Sequence, residues 1–476
     1  MPLRGVRPLI VTALAIAGGV AAGGLNQQSV SSSESFAKRV VATGLAEPFQ
    51  MVWGPDDHLW VTERSGKRIT RVRPSDGAKT TAITIAEVLG GGAEGLLGMA
   101  LDPGLLKEAG ADFVYVAYTY DADPAPQTVK KRTKVVRLTY DSSAHALGTP
   151  KDLLTNLPAG DDHQGGRVVF GPDRKLYVSI GDQGANQLGN FCRPNHAQDL
   201  PTDAQVRADD WSMYEGKILR LNLDGSIPSD NPAIDGVKSH IYSYGHRNPQ
   251  GLVFAPGGKL YESEHGPNTD DEINLIRPGK NYGWPNVAGY KDDQAYAYAN
   301  WSASKGVPCQ SLKYTSYPEV PPSVPIARES EWSHPDFVPP MQTFHTVPTG
   351  HNFKNPRCDG SYFQCWPTVA PSSLAVYAIR NAIPGWHQSL LMPSLKHGTV
   401  FRVQLNADGT AVVGGPDDHE MLKTVNRYRD VVVRPDGLAL FIATDVGGLT
   451  WDAEGRPTSK VENPGSILEF SYVVPR

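Results

Sequence analysis

Hydrophobic and polar positions repeat one local pattern along much of the chain. An apolar pair leads into a turn that contains proline with aspartate or glycine, and a segment of alternating apolar and polar residues follows. Proline fixes φ and lacks an N–H donor, so it fits the turn, while alternation with a period of two gives a strand with one buried face. Each copy therefore predicts a β-hairpin. The copies lie at residues 51–62, 168–179, 252–261 and 431–442, and further strand pairs fit residues 98–120 and 390–405.

Hairpins repeated in this way, with no long amphipathic helix between them, are typical of propeller blades. We therefore predict an all-β fold, a single β-propeller over residues 38–476. Terminal strands commonly close such a ring, so residues 38–43 and 466–473 are expected to pair. The stretch 284–365 is rich in proline, tyrosine, tryptophan and polar residues. It interrupts the pattern and predicts a functional insertion on one face.

The composition agrees with many short strands joined by tight turns. Among 476 residues, 48 are glycine and 39 proline, and charged residues make up only 20%. The formal net charge is −5, and no long run of like charges occurs. Binding to nucleic acid or to an anionic membrane is therefore not expected, and small molecules are the predicted partners.

The first residues predict export to the periplasm or the medium. Residues 1–24 combine Arg4 and Arg7, a short apolar run at 9–17 and small residues, as a signal peptide does. An uncleaved membrane anchor is the alternative, but the apolar run is shorter than the ~20 residues of a spanning helix. No stable membrane span is expected. Residues 25–37, rich in glutamine and serine, are predicted to be a disordered lead-in.

Four cysteines are too few to suggest a zinc framework in a chain of this length. Cys358 and Cys365 enclose six residues, which in an exported protein predicts a local disulfide. Cys192 and Cys309 either pair or stay free, and the sequence does not decide between the two.

A candidate catalytic base lies in the first of four polar clusters. His163 stands in a glycine-rich segment immediately before a predicted hairpin, and Asp182 comes just after that hairpin. A hairpin brings its two ends together, so the carboxylate can orient the imidazole as a general base. The alternative is a histidine in a solvated loop.

The second and third clusters suit a charged ligand and a metal ion. Arg247 and Asn248 lie between glycines, where a guanidinium can meet an anion, although a capped turn would look the same. Gly266 and Pro267 expose backbone carbonyls beside several carboxylates, which are oxygen ligands that calcium prefers. An acidic surface turn is the alternative for this third cluster.

The fourth cluster consists of basic residues near the C-terminus. Lys396 is followed by Arg427 and Arg429, which at i and i+2 of a strand point to the same face. This arrangement favours a polyanionic ligand. Together the four clusters predict a polycarboxylate ligand, a cation and a base on one face of a propeller.

Several longer motifs give the chain a family resemblance. It resembles the soluble quinoprotein glucose dehydrogenases, within the wider glucose/sorbosone dehydrogenase family, from about residue 38 to the C-terminus. The motifs are DHQGGR at 162–167, IGDQG at 180–184, GHRNPQG at 245–251, GPNTDDEINL at 266–275, NYGWPNVAGYKDD at 281–293, CWPTVAPSS at 365–373 and NRYRD at 426–430.

The resemblance implies a six-bladed propeller that oxidises an aldose, with glucose as the first candidate, at C1 to a lactone. His163, oriented by Asp182, would take the hydroxyl proton while a hydride passes from C1 to C5 of pyrroloquinoline quinone (PQQ), and an unidentified external acceptor would receive the electrons. Arg247 would stabilise charge on the reacting quinone oxygen. Asp162 and Gln187 are the implied sugar-binding residues. The implied cofactor-binding residues are Arg247, Asn248, Trp366, Thr368, Lys396, Arg427 and Arg429.

The resemblance also implies calcium, a homodimer and the Cys358–Cys365 disulfide. The carbonyl oxygens of Gly266 and Pro267 would hold the ion that grips the cofactor. Further calcium ligands are implied at Glu272, Tyr282, Ala288, Tyr290, Asp292 and Glu329.

Two departures from the family pattern affect the substrate side. The glucose enzymes carry a sugar-contacting glutamine ahead of Gly95, where this chain has Ala93 and Glu94. The segment between Trp301 and Glu329 is also shorter. Glucose, another aldose or a sorbosone-like sugar therefore remain alternatives. A calcium-dependent propeller lactonase would hold its metal with central side chains, and a non-enzymatic binding propeller would not need both the base and the basic residues.

Overall fold

The computed structural model describes residues 34–125, 128–415 and 419–475 and consists mainly of β-strands. The first strand, β1 (Phe36–Ala42), precedes the first blade. Blade 1 contains β2 (Pro48–Trp53), β3 (Leu59–Glu63), β4 (Arg68–Val72) and β5 (Lys79–Thr84). Blade 2 contains β6 (Leu96–Leu101), β7 (Phe113–Asp121), β8 (Lys131–Asp141) and β9 (Ala146–Leu157). Blade 3 contains β10 (Gly165–Phe170), β11 (Leu176–Ile180), β12 (Lys217–Leu221) and, after a small hairpin of β13 (Ala233–Ile234) and β14 (Val237–Lys238), β15 (Ile241–Tyr244).

The second half of the chain forms three more blades. Blade 4 contains β16 (Pro249–Phe254), β17 (Leu260–Glu264), β18 (Asp271–Ile276) and, after the pair β19 (Tyr298–Ala299) and β20 (Ile326–Ala327), β21 (Gln342–Phe344). Blade 5 contains β22 (Ala375–Tyr377), β23 (Ser389–Pro393), β24 (Val400–Leu405) and β25 (Val412–Val413), and β26 (Glu420–Met421) also pairs with β24. Blade 6 contains β27 (Tyr428–Val433), β28 (Ala439–Thr444) and, after the pair β29 (Thr450–Trp451) and β30 (Pro457–Thr458), β31 (Ile467–Tyr472), with β1 outermost.

Helices are short throughout the described part of the chain. The single α-helix there is α1 (Asp203–Arg207), which Thr202 caps. The 3₁₀ helices are Leu188–Asn190, Ser212–Tyr214, Trp301–Ala303, Cys309–Ser311, Glu329–Glu331, Pro356–Cys358 and Tyr362–Cys365. No helix of the described residues is long and apolar enough to cross a membrane.

The six blades form a ring around their first strands. Each of β2, β6, β10, β16, β22 and β27 contacts the next, and β27 contacts β2. The predicted all-β, six-bladed propeller is therefore confirmed, and each predicted hairpin is the first or second strand pair of a blade. The apolar faces of neighbouring blades pack together: Tyr177 and Ile218 of blade 3 meet Leu252 and Leu260 of blade 4. The alternation seen in the sequence supplies these buried faces.

The predicted terminal pairing closes the ring. β1 lies antiparallel to β31, with Lys38 opposite Phe470. The strand begins at Phe36, two residues earlier than expected, because the Phe36 ring packs 5.5 Å from that of Trp386 and 5.8 Å from that of Tyr472. Phe36 and Ala37 therefore belong to the sheet and not to a disordered lead-in. The predicted signal peptide and residues 25–33 of the lead-in lie outside the described residues.

Both pairs of cysteines form disulfides. The predicted Cys358–Cys365 bond is present, and Cys192 pairs with Cys309, which the sequence left open. The Cys192–Cys309 bond joins the loop after β11 to the stretch 284–365, which carries the pair β19 and β20 and the last strand of blade 4, β21.

Candidate functional site

The antiparallel blades bring the candidate residues to one end of the ring. The first strand of a blade begins where its second strand ends, as Gly165 lies opposite Ile180 and Pro249 opposite Glu264. Loops before the first strands carry His163, Arg247 and Arg427, and loops after the second strands carry Asp182, Gly266 and Lys396. The hairpin geometry thus places the four sequence clusters on the same face.

His163 and Asp182 form the predicted pair. His163 Nδ1 lies 2.6 Å from Asp182 Oδ1, and both side chains are buried. The His163 backbone has φ +47°, and Gly181 packs so closely against it that a Cβ there would lie 1.9 Å from the His163 carbonyl oxygen. The glycine-rich sequence on both sides of the hairpin permits this approach.

Asp182 is held as an anion. Its Oδ1 also accepts the Gly184 N–H at 2.9 Å, and its Oδ2 accepts Asn195 Nδ2 at 3.0 Å and Trp284 Nε1 at 2.8 Å. Burial raises the pKa of Asp182, but His163, the Arg247 charge and the Gly184 N–H together outweigh burial, so its pKa lies below the usual value. A charged carboxylate on Nδ1 leaves Nε2 free to accept a proton.

Gln187 lies between the His163–Asp182 pair and Arg247. Its Nε2 lies 3.3 Å from His163 Nδ1, and its Oε1 accepts Arg247 NH2 at 2.6 Å. Arg247 also donates to the His265 carbonyl at 3.0 Å and lies 5.3 Å above the Trp284 ring. Arg247 Nε is buried and has no partner among the described residues. A buried donor in this state suits an oxygen-bearing ligand.

A buried carboxylate fixes the loop that carries Arg247 and Asn248. Glu264 Oε2 accepts the backbone N–H of Arg247 at 2.6 Å and that of Asn248 at 3.1 Å. Asn248 Oδ1 in turn accepts Gln250 Nε2 at 2.8 Å. The two site residues are therefore set by the end of β17 in the same blade.

Gly266 and Pro267 follow β17 in a tightly packed turn. Gly266 N donates to Asp271 Oδ1 at 2.9 Å, and a Cβ at Gly266 would lie 2.0 Å from the Thr269 carbonyl oxygen. Within the described residues, no hydrogen bond ends on the carbonyl oxygens of Gly266 or Pro267. Both oxygens can therefore ligate a hard cation.

Lys396 lies in a pocket formed by the residues that precede β22. Its Nζ donates to the Trp366 carbonyl and, at 2.9 Å, to Thr368 Oγ1. Asp271, the nearest carboxylate, accepts the N–H groups of Val369 and Ala370 at 2.6 and 2.7 Å. Burial lowers the pKa of Lys396 to about 8, against the opposing effect of Asp271. An anionic ligand here would favour the protonated amine.

Arg427 and Arg429 meet on one side chain, as their spacing predicted, but that side chain is an acid. Asp445 accepts Arg429 through Nε at 2.7 Å and NH2 at 2.9 Å, and Arg427 Nε at 3.2 Å. Arg427 NH1 also donates to the Leu449 carbonyl at 2.6 Å. Arg427, Arg429 and Asp445 together carry one net positive charge, whereas two free guanidinium groups would carry two.

The residues of the second calcium set lie around one turn of the 284–365 stretch. Glu329 accepts the N–H groups of Ala288 at 3.0 Å and Asp292 at 3.2 Å, and Glu272 accepts that of Gly289 at 2.6 Å. Burial raises the pKa of Glu329 to about 7. Tyr290 is partly exposed, and Tyr282 instead packs its ring 4.7 Å from that of His246.

Several site residues were not identified from the sequence. Asn195 lies 13 residues after Asp182 in the same loop, and Trp284 lies 102 residues after it. Asp445 could have been found, since it follows the second strand of its blade as Asp182 does in blade 3. Lys131 is the fourth: it binds both Glu94 and Asp161 beside the His163 loop.

Known proteins resemble this chain over most of its length. The family model described as Glucose / Sorbosone dehydrogenase matches residues 45–318 and 340–451. The chain is 46% identical over 451 residues to quinoprotein glucose dehydrogenase B of Acinetobacter calcoaceticus, covering 94% of this chain and 93% of that protein. It is 28% identical to aldose sugar dehydrogenase YliI of Escherichia coli (strain K12), with 85% and 89% covered. The fold resembles the PQQ-bound form of aldose sugar dehydrogenase from Streptomyces coelicolor, with a TM-score of 0.60, 28% identity and 92% and 99% of the two chains covered.

Proposed function

Since the chain belongs to the glucose/sorbosone dehydrogenase family, we propose that it oxidises an aldose at C1 to the lactone. Pyrroloquinoline quinone and calcium are its cofactors, an external acceptor takes the electrons, and glucose is the first candidate substrate. One observation carries this proposal: the buried His163–Asp182 pair, beside Arg247, whose guanidinium donates to Gln187.

The residues present fit a polycarboxylate quinone. Arg247 offers a buried Nε without a partner among the described residues, and Lys396 is a buried amine whose protonation an anion would favour. Arg247, Asn248, Trp366, Thr368, Lys396, Arg427 and Arg429 would hold the cofactor. When bound, the quinone supplies a two-electron acceptor for the hydride that leaves C1.

The protein's own groups move the proton and stabilise charge. With Nδ1–H directed at Asp182, His163 Nε2 takes the proton of the C1 hydroxyl, and the Asp182 anion stabilises the imidazolium that forms. Asp162 and Gln187 would bind the sugar hydroxyls, which is supported by their distances of 3.7 Å from Asp162 Oδ2 to His163 Nε2 and 3.3 Å from Gln187 Nε2 to His163 Nδ1. Arg247 is fixed by two acceptors before the reaction, and its charge stabilises the developing oxyanion.

Calcium fits two places. The unpaired carbonyl oxygens of Gly266 and Pro267 would hold the ion next to the cofactor, where it acts as a Lewis acid. Glu272, Tyr282, Ala288, Tyr290, Asp292 and Glu329 are proposed for structural calcium. The raised pKa of Glu329 supports this assignment, because a bound cation would offset the burial of its charge.

The sugar side supports a weaker statement about glucose. Ala93 has no hydrogen-bonding side chain, and Glu94 is bound by Lys131, which also binds Asp161. Another aldose or a sorbosone-like sugar is therefore the second candidate. Export is part of the proposal, supported by two disulfides, and a homodimer stays a prediction.

Reconstitution tests the proposed reaction. The purified apoprotein is supplied with calcium and the quinone, and reduction of an artificial dye is followed across a panel of aldoses. Sugar-dependent reduction with a lactone product is expected, and no reduction with any aldose would reject the proposal. Quinone binding is measured separately by titration of its absorbance, with and without a calcium chelator.

A matched pair of histidine variants tests the base. His163→Gln should leave quinone affinity within about twofold and lower kcat by at least ~10², the usual contribution of a general base. His196→Gln is the control, because His196 pairs with the exposed Asp199 on the same loop. Equal turnover in the two variants would reject the role of His163.

A further inference from the structure

A fully buried group of acidic residues lies between blades 3 and 4, below the loop of Arg247. We call Glu262, Glu264, Glu272, Asn274 and His246 the interblade cluster. Glu262 and Glu264 of β17 lie opposite Asn274 and Glu272 of β18, so alternation places all four side chains on one face. His246 enters from the loop between the two blades. We propose that this cluster binds one divalent metal ion, with Zn²⁺ as the first candidate, through His246 Nδ1 and the carboxylates of Glu262 and Glu264.

The hydrogen bonds leave the cluster incomplete. Asn274 Nδ2 lies within hydrogen-bonding distance of three carboxylates: Glu272 at 2.9 Å, Glu262 at 3.1 Å and Glu264 at 3.4 Å. An amide nitrogen has only two protons to offer. Glu262 Oε1 has no partner among the described residues, although the side chain is completely buried.

The charges around Glu262 also call for a cation. The charged groups that act on its buried side chain are Glu264 and Glu272, both acidic, and only Glu272 belongs to the proposed calcium set. The nearby Arg247 acts on Glu264, and Lys217 acts on His246. Neither cation compensates Glu262, so a bound dication would neutralise the least compensated carboxylate.

His246 is ready to act as a ligand. The His246 side chain is completely buried, and burial favours the neutral imidazole that binds metals. Its Nε2 lies 2.9 Å from Ser243 Oγ, which leaves Nδ1 directed at Glu264 Oε1, 3.4 Å away. A tetrahedral Zn²⁺ with bonds of about 2.0–2.2 Å separates its ligand atoms by about 3.3–3.6 Å. The distance between His246 Nδ1 and Glu264 Oε1 falls in that range, and the ligand atoms of His246, Glu262 and Glu264 all lie within 4.8 Å of one another.

The donor set differs from the proposed calcium sites. One imidazole nitrogen with two carboxylates suits zinc better than calcium, which prefers oxygen alone. A metal on Glu264 Oε1 would leave Oε2 for the N–H groups of Arg247 and Asn248, so the ion would anchor their loop. The inference rests on these contacts and is independent of the proposed sugar oxidation.

Metal analysis of the purified protein tests the inference. The chain is produced in zinc-supplemented medium, dialysed against a chelator to remove surface metal, and analysed by mass spectrometry for metal per chain. About one equivalent of zinc is expected in the unaltered protein. Glu262→Gln keeps the side-chain shape but removes the ligand charge, and it should lose that zinc.

Glu329→Gln is the matched control, because Glu329 is equally buried but belongs to the proposed calcium set. It should retain zinc. Absence of zinc from the unaltered protein would overturn the inference without any variant, and so would zinc retained in Glu262→Gln. An infrared band of a protonated carboxylic acid that Glu262→Gln removes would also overturn it, since a proton would then neutralise Glu262.

Discussion

Replacing Asp182 by asparagine should change the tautomer of His163. Each Asp182 oxygen accepts two donors: Oδ1 those of His163 and Gly184, Oδ2 those of Asn195 and Trp284. If the amide nitrogen of the Asp182→Asn variant took the position of Oδ2, the fixed donors of Asn195 and Trp284 would have no acceptor. If the amide nitrogen took the position of Oδ1, only the Gly184 N–H would be unpaired, because His163 Nδ1 can lose its proton and accept a hydrogen bond instead.

The amide nitrogen is therefore expected at the Oδ1 position, beside His163, and this orientation disables the base. His163 would then carry its proton on Nε2, where the sugar hydroxyl must donate. The same exchange behind the catalytic histidine of a serine protease costs about 10⁴ in kcat. We expect a similar loss here, about 5 kcal/mol in the barrier. One orphaned buried N–H should also cost about 1–3 kcal/mol of stability.

Steady-state dye reduction with the reconstituted enzyme measures this effect. For Asp182→Asn, kcat should fall while the KM for sugar and the quinone affinity change by about twofold or less. Asp199→Asn, an exposed partner of His196, is the control and should keep its kcat. A folded Asp182→Asn variant with kcat within tenfold of the unaltered enzyme would refute the reasoning about the tautomer.

Two further predictions concern the cofactor side and the disulfides. Because burial lowers the pKa of Lys396 to about 8, its protonated form is lost as pH rises through that value, and quinone affinity should fall by up to about tenfold per pH unit above it; titrations of Lys396→Met that keep the same slope would contradict this. Replacing Cys192 and Cys309 by serine should raise the KM for sugar, since this disulfide holds the Gln187 loop, and should cost about 5 kcal/mol for a separation of 117 residues. The matched double variant at Cys358 and Cys365 should instead weaken quinone binding and cost about 2 kcal/mol for a separation of 7. Equal effects of the two double variants on both constants would rule out this division.

The hairpins and the His163–Asp182 contact could be predicted because they depend on local sequence. Alternation fixes which side chains are buried, and one hairpin is enough to bring His163 to Asp182. The Trp284 contact of Asp182 depends on how a distant stretch of chain folds over the ring, so it could not be predicted from the sequence around Asp182. The charge balance does have a local signal: Asp445, which binds both Arg427 and Arg429, follows the second strand of blade 6 as Asp182 follows that of blade 3.

The ring closure also has a consequence for the order of synthesis. β1 is among the first segments of the described chain to be made, yet its partner β31 is among the last. Contacts between such distant segments are slow to form, and until then β1 has no strand to pair with. A product truncated before residue 467 would expose the free edge of β28, and exposed edges invite pairing between chains. Prematurely terminated chains should therefore aggregate, whereas a circular permutant that joins β31 directly to β1 would close its last blade with a local hairpin.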